Sequence, residues 1–175
     1  MNYIINFLSA IKLTLTCIIA PMNPTLYFLR SSEHTILIDL LHYATGKKEE
    51  NPELNIYTKD FGYNTTDIGI YALVSGQIAG AVWIRLIGSE PTLLICVKPE
   101  YQNNGIGSMM INQIFLEAGA IYEQLMVDCS FNHKAVTFFE RFDFKFINGT
   151  KMKKELIKKE LKSPNDSYNP RRWMN

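Results

Sequence analysis

A chain of 175 residues is one ordinary domain's worth, and 47% hydrophobic with 20% charged side chains can build a core, which excludes a multidomain machine and a disordered chain. Eighteen basic residues against seventeen acidic leave a net charge of +1, so nothing global points to nucleic acid. That balance is uneven, because residues 151–175 carry +5 and the preceding 150 carry −4, and the basic end reads as a solvated tail.

Residues 3–21 are strongly apolar. A signal peptide needs positive charge before its apolar stretch, whereas here Lys12 sits in the middle and Pro21 follows Ala20. A spanning helix needs ~20 apolar residues, and Asn6 and Lys12 interrupt this segment. Membrane contact by residues 3–19 is therefore not expected. Two other readings stay open. Ile4, Phe7, Leu8, Ile11, Leu15, Ile18 and Ile19 fall at helical steps and suit an accessory amphipathic helix. Alternatively, a start at Met22, directly before a strand-like run, makes 1–21 an extension dispensable to a domain of residues 22–156, with 157–175 as its tail. The second reading is preferred.

Thr25–Arg30 reads as the first strand. Ser31 or Ser32 suits the N-cap of a helix whose buried stripe is Ile36, Leu37, Leu40, Leu41 and Ala44, stopped by Gly46. A short helix is expected around Pro52–Phe61. Ile68–Val74 and Gln77–Leu86 flank Ser75-Gly76, a hairpin signal. Pro91–Val97 is a nearly continuous apolar strand, as expected when both faces are covered. Gly105–Ala118 then has helical spacing, with Ile106, Met109, Met110, Ile114 and Leu116 as apolar positions. Gln124–Val127 is a further strand, His133–Arg141 a helix, and Phe144–Ile147 with Thr150–Leu156 a closing strand pair. This mixture implies an α/β (α+β) domain, a central sheet with helices on both faces.

Cys17, Cys96 and Cys129 are odd in number and lack C-x-x-C spacing, which argues against a disulfide framework and for a reducing, cytoplasmic compartment. Cys96 and Cys129 read as buried strand residues rather than nucleophiles. His34, His42 and His133 form no ligand pattern, so no metal is expected.

The chemistry concentrates in Val97-Lys98-Pro99-Glu100-Tyr101-Gln102-Asn103-Asn104-Gly105-Ile106-Gly107-Ser108. A strand that runs through a two-glycine turn into a helix exposes unpaired N–H groups at the helix's positive end, a site suited to phosphate. No Gly-Lys-Ser/Thr closes the turn, so it is not a P-loop. Met110 stands where a dinucleotide fingerprint has its third glycine.

The block V-x-P-x-Y-Q-x-x-G-I-G resembles the acyl-CoA pyrophosphate loop of the GNAT superfamily of N-acetyltransferases. Asn132-His133-Lys134-Ala135-Val136-Thr137-Phe138-Phe139-Glu140-Arg141-Phe142-Asp143-Phe144 resembles that family's second signature, and Gly80-Ala81-Val82-Trp83-Ile84-Arg85-Leu86 is similar to a strand of one of its subgroups. The resemblance covers roughly Thr25 to Leu156. It implies the GNAT fold, a mixed, mostly antiparallel sheet whose fourth strand splays from the fifth to hold acyl-CoA. It implies that main-chain groups of Ile95, Cys96 and Val97 bind the pantetheine arm and that Gln102, Asn103, Asn104, Gly105, Ile106, Gly107 and Ser108 hold the pyrophosphate. Asn132 and Phe139 complete the implied cofactor site, although an Asn in this position is also an ordinary N-cap. By the same analogy Tyr57, Phe61, Trp83 and Arg85 are expected to line the acceptor side; the alternative, which is preferred, has Trp83 half in the core and Arg85 paired with a surface carboxylate.

The implied reaction is direct attack of an amine on acetyl-CoA through a tetrahedral intermediate. Two departures touch its proton chemistry. Phe139 stands where the family often has a Tyr acid, and Thr92 follows Pro91 where the subgroup commonly has Glu. Asp143 replaces a glycine at a turn that tolerates Asp. Tyr57, Asp128 and Tyr101 are candidate substitutes for the missing groups, and no catalytic residue is assigned. The alternative is a catalytically silent acyl-CoA-binding module. The expected partners are acetyl-CoA and an amine acceptor, with no nucleic acid; a homodimer is left open.

Overall fold

The computed structural model describes residues 23–45, 52–130 and 132–158. The apolar segment 3–21, the expected stop at Gly46 and residues 159–175 of the tail lie outside the described residues. Strands β1 (Thr25–Phe28), β2 (Ile68–Val74), β3 (Gln77–Ile87), β4 (Glu90–Val97), β5 (Gln124–Asp128), β6 (Lys145–Asn148) and β7 (Lys151–Glu155) form one sheet. Its order is β1-β2-β3-β4-β5-β7-β6. Every neighbouring pair is antiparallel except β4 and β5, which are parallel. The helices are α1 (Thr35–Thr45), α2 (Pro52–Thr58), α3 (Ile106–Ala118) and α4 (Val136–Glu140). No helix among the described residues is long and apolar enough to cross a membrane.

Alternation along the strands sorts side chains onto two faces. Val82, Ile84 and Leu93 join Met110, Ile111 and Ile114 of α3 in one core. Ala81, Trp83 and Cys96 join Leu37 and Leu40 of α1 in the other. Helices therefore cover both faces, as the sequence implied. One expected apolar position of α3 is corrected: Leu116 is 58% exposed, and Ile111 takes the core position. Leu116 follows the buried Ile114 by two residues, about 200° around the helix and so on the far side.

Local signals explain the other boundary differences. Ser31 and Ser32 do not cap α1; Ser31–Glu33 forms a 3₁₀ turn, and Arg30 N donates back to Glu33 Oε2 at 2.9 Å. The second helix ends at Thr58 instead of Phe61, because the chain turns left-handed at Asp60 (φ 56°) and Gly62 (φ 85°). His133–Ala135 is 3₁₀, and only Val136–Glu140 is α-helical. Asp143 adopts φ 63°, the conformation the replaced glycine would take, and its carboxylate pairs with Lys154 at 3.6 Å.

One irregularity positions the site. The β2–β3 register shifts at Ala72/Leu73, leaving Ala79 between the partners of those two residues. The carbonyl of Ala79 accepts from Lys98 N at 2.9 Å, just past the end of β4. A Cβ on Gly80 would collide with the Cys96 carbonyl oxygen and stand 2.9 Å from Val97 Cα. Glycine is what lets β3 press against β4 here and fix the direction in which β4 leaves the sheet.

Candidate active site

Among the described residues, β4 and β5 share a single register pair, Thr92 with Met126. Beyond it the strands part. Lys98 N donates to Ala79 O on β3, and the alternation of an antiparallel ladder then turns the main-chain groups of Leu94 and Cys96 to β3. Those of Ile95 and Val97 turn into the gap. The Val97 carbonyl accepts from Gln102 Nε2 at 2.8 Å, so the Gln102 side chain braces the loop.

That loop is built to reach a helix end without capping it. Pro99–Tyr101 makes a 3₁₀ turn, Asn103 takes φ 61°, and Asn104 Nδ2 donates to Gln102 O at 2.9 Å. Gly105, at φ 77°, is the N-cap of α3 and offers no side-chain cap. The N–H groups of the first turn, at Ile106, Gly107 and Ser108, therefore keep their donors for something outside the helix. They border a cavity of ≈ 650 Å³ whose opposite wall carries Asn132, Lys134, Thr137, Phe138 and Arg141. Ile95, Val97, Gln102, Asn103, Gly105, Ile106, Gly107 and Ser108 all line this groove, whereas Asn104 is spent on the loop itself. Sequence reasoning missed Lys134 and Arg141. Their spacing of seven, two helical turns, is the signal that would place both on one side. Arg141 lies 5.5 Å from the centre of the Phe138 ring.

A second cavity, of ≈ 310 Å³, adjoins the first and shares Ile95, Asn132 and Ala135 with it. Tyr57, Trp83, Thr92, Cys96, Asp128 and Phe139 also line it. Trp83 is fully buried, and its Nε1 donates to the Tyr57 carbonyl at 2.9 Å, locking the end of α2 to β3. Cys96 directs its Sγ to Leu40 O at 3.3 Å, and burial pushes its thiol up to about 11, so it is no nucleophile. Phe139 sits edge-on to Phe138 and Phe144, with centroids 5.4 and 5.3 Å away. Its ring offers no proton. Asn132 Oδ1 accepts from Lys134 N at 3.1 Å, so the oxygen caps the turn and the amide NH₂ is the end able to donate into either cavity.

Two expectations for the acceptor side do not hold in this geometry. Arg85 is not among the residues lining either cavity; its Nε lies 3.7 Å from Asp67, and Nη1 donates to the carbonyls of Ile56 and Lys59. Phe61 is buried beside Leu37 and Trp83, against Gly69. Of the candidate proton carriers, Tyr101 lines the larger groove, and Tyr57 and Asp128 line the smaller cavity. Burial and then the charge of Asp128 raise the Tyr57 pKa, with Lys151 opposing. Desolvation alone would raise the Asp128 pKa, but hydrogen bonds from Ser130 and Thr150 and the charge of Lys151 outweigh it and hold the pKa low. Asp128 Oδ1 accepts from Ser130 N and from Thr150 Oγ1, both at 2.8 Å.

Residues 66–146, which include the gap, the uncapped helix and most of both cavities, match the family model of the acetyltransferase (GNAT) domain. Over that stretch the chain is similar to a GNAT acetyltransferase domain. Solved GNAT structures share its fold. It is similar to a phosphinothricin acetyltransferase from Sinorhizobium meliloti in complex with acetyl-CoA, with a TM-score of 0.62 and 15% identity over 85% of this chain and 97% of that one. It is similar to a GNAT acetyltransferase from Brucella melitensis in complex with acetyl-CoA, with a TM-score of 0.56 and 16% identity over 77% and 88%. A PaiA N-acetyltransferase from Thermoplasma acidophilum in complex with coenzyme A gives 0.55 and 14% over 77% and 99%. Curated proteins gave no significant match. Among the described residues, no group of three or more His, Cys, Asp or Glu is placed to hold a metal ion.

Proposed function

We propose that the domain transfers the acetyl group of acetyl-CoA to a primary amine by direct attack. The observation that carries this reading is the wedge beyond Thr92 and Met126, which opens onto both cavities at once. The residues present fit the co-substrate. The uncapped first turn of α3 and the side chains of Lys134 and Arg141 suit a pyrophosphate. The main-chain groups of Ile95 and Val97 that face the gap suit the amides of a pantetheine arm, and the Ile95 N–H is the donor for a thioester oxygen as negative charge develops there.

A neutral amine in the smaller cavity attacks the thioester carbon. The N–C bond forms, the C–S bond breaks, the nitrogen gives up one proton and the departing sulfur takes one, so the sum is an amide and a free thiol. Phe139 cannot supply that proton. Tyr57 keeps its hydroxyl protonated at neutral pH, because its pKa is raised, and lines the same cavity as the acceptor. Holding both partners in one wedge supplies much of the acceleration through positioning.

The test is calorimetric titration of the full chain with acetyl-CoA, followed by thiol release against a panel of primary amines. Saturable binding with amine-dependent thiol release is expected. Absence of acetyl-CoA binding would refute the reading, and binding without thiol release for any amine would favour a silent acyl-CoA-binding module.

A further inference from the structure

We infer that the acceptor is a primary amine on an apolar arm, with no carboxylate or phosphate beside the amine, and that it docks as an ammonium on Asp128 and gives one proton to solvent before the neutral nitrogen attacks. The inference rests on the acetyltransferase function proposed above and names the substrate class of that same site.

The charge on the cavity wall carries the argument. Among the described residues, Asp128 is the only charged side chain that lines the ≈ 310 Å³ cavity; the other described lining residues are apolar or neutral, including Leu41, Ala44, Trp83, Leu94 and Phe139. Alternation along β5 puts Asp128 on the face opposite Val127, which packs into the α3 core, and so on the side where Tyr57 and Trp83 lie. Asp128 Oδ1 is held by Ser130 N and Thr150 Oγ1, which fixes the carboxylate in one orientation at the cavity edge.

Among the described residues, the cations Arg85 and Lys151 are committed elsewhere. Arg85 would suit an anionic acceptor, but it is turned onto Asp67 and two carbonyls. Lys151, paired with Asp128 in the β5–β7 register, puts its Nζ 2.9 Å from Glu90 Oε2 and does not line the cavity. An acceptor carboxylate would therefore meet a fixed negative charge with no lining cation among the described residues to offset it. Selection works by repulsion as much as by attraction. An ammonium group gains a charge-assisted hydrogen bond at the same place, and an alkyl or aryl arm gains burial against Leu41, Trp83 and Leu94.

A matched pair of probes isolates the carboxylate. With saturating acetyl-CoA and the full chain, thiol release is measured for 2-phenylethylamine and for phenylalanine, which differ by that group alone. At least roughly tenfold higher kcat/KM for 2-phenylethylamine is expected, the scale of one hydrogen bond to a charged group. Asp128→Asn, which keeps the oxygen that Ser130 and Thr150 use, should raise the KM for 2-phenylethylamine by roughly the same factor. Acetyl-CoA affinity measured on the same variant should stay unchanged, which also reports that it has folded. Equal or better use of phenylalanine overturns the inference, as does an unchanged amine KM in Asp128→Asn. Acetyl-CoA binding with neither amine used also overturns it and leaves the wider function standing; failure of the unaltered chain to bind acetyl-CoA removes both.

Discussion

Arg85 on β3 turns its guanidinium onto the carboxylate of Asp67, whose side chain is 1% exposed, across 3.7 Å. The same group holds the carbonyls of Ile56 and Lys59, so one side chain ties the end of α2 and the following loop to the sheet. Gly62 N donates to the other Asp67 oxygen at 2.9 Å, which keeps the carboxylate partly satisfied when the arginine is gone. Arg85→Ala should therefore lower stability in urea by about 2–3 kcal/mol, the cost of leaving a buried charge short of a partner. Acetyl-CoA affinity should hold within about twofold, because no lining residue of the larger groove is touched. A variant as stable as the parent but poor in cofactor binding would contradict this role.

Gly105 combines a left-handed φ of 77° with a place at the mouth of the groove. Among the described residues, nothing lies within 4 Å of a Cβ built there, so the space is open to whatever approaches the helix end. Gly105→Glu adds about 1–2 kcal/mol of backbone strain and sets a negative charge where phosphates are expected. Acetyl-CoA binding should weaken by more than roughly tenfold in calorimetry. Unchanged affinity would move the phosphate site elsewhere.

Lys134 and Arg141 face the same groove from the opposite wall. Lys134→Ala and Arg141→Ala should each raise the acetyl-CoA dissociation constant roughly three- to tenfold at low salt, the usual scale for a partly exposed ionic contact. The loss should shrink as ionic strength rises. Salt-independent effects would point to a structural role, such as Arg141 packing over Phe138.

Asp128 makes a prediction in acid. Its folded pKa is depressed below the usual value of ~3.9, so its stabilisation is complete above that value and disappears as pH falls through the folded one. The stability difference between the parent and Asp128→Asn, read from urea transitions, should be level from pH 7 to about 5 and close below about pH 4. A difference that widens in acid would show that hydrogen bonding to the neutral form dominates.

The strands were legible because β2, β3 and β4 alternate or run apolar, and a short turn closes the hairpin at Ser75-Gly76. The loop before α3 was legible for a local reason: strand, turn, two glycines and helix are contiguous, so Ile95, Val97 and Gly105–Ser108 fall together by chain order alone. Pairing of Arg85 with a carboxylate was legible as an alternative, but the partners themselves were not. Its partner Asp67 and the carbonyls of Ile56 and Lys59 come from α2 and its loop, and only the packing of α2 onto β3 brings them within reach. Gln102 lines the groove, but the turn of its side chain back to Val97 O was not legible in chain order. Asn132 carried two readings in sequence, and its oxygen does cap the turn while the amide still borders both cavities.

Ile95, Asn132 and Ala135 form the wall common to the two cavities, while Leu41, Ala44 and Tyr57 belong to the smaller one and sit on helices laid over the sheet. Under the proposed function, changes of acceptor preference can accumulate on those outlying helices without disturbing the larger groove. Changes on the common wall cannot be separated in this way, because each alters the lining of both cavities. The architecture thus divides into a portion free to diversify and a portion that holds diversification in check, with the boundary running along β4.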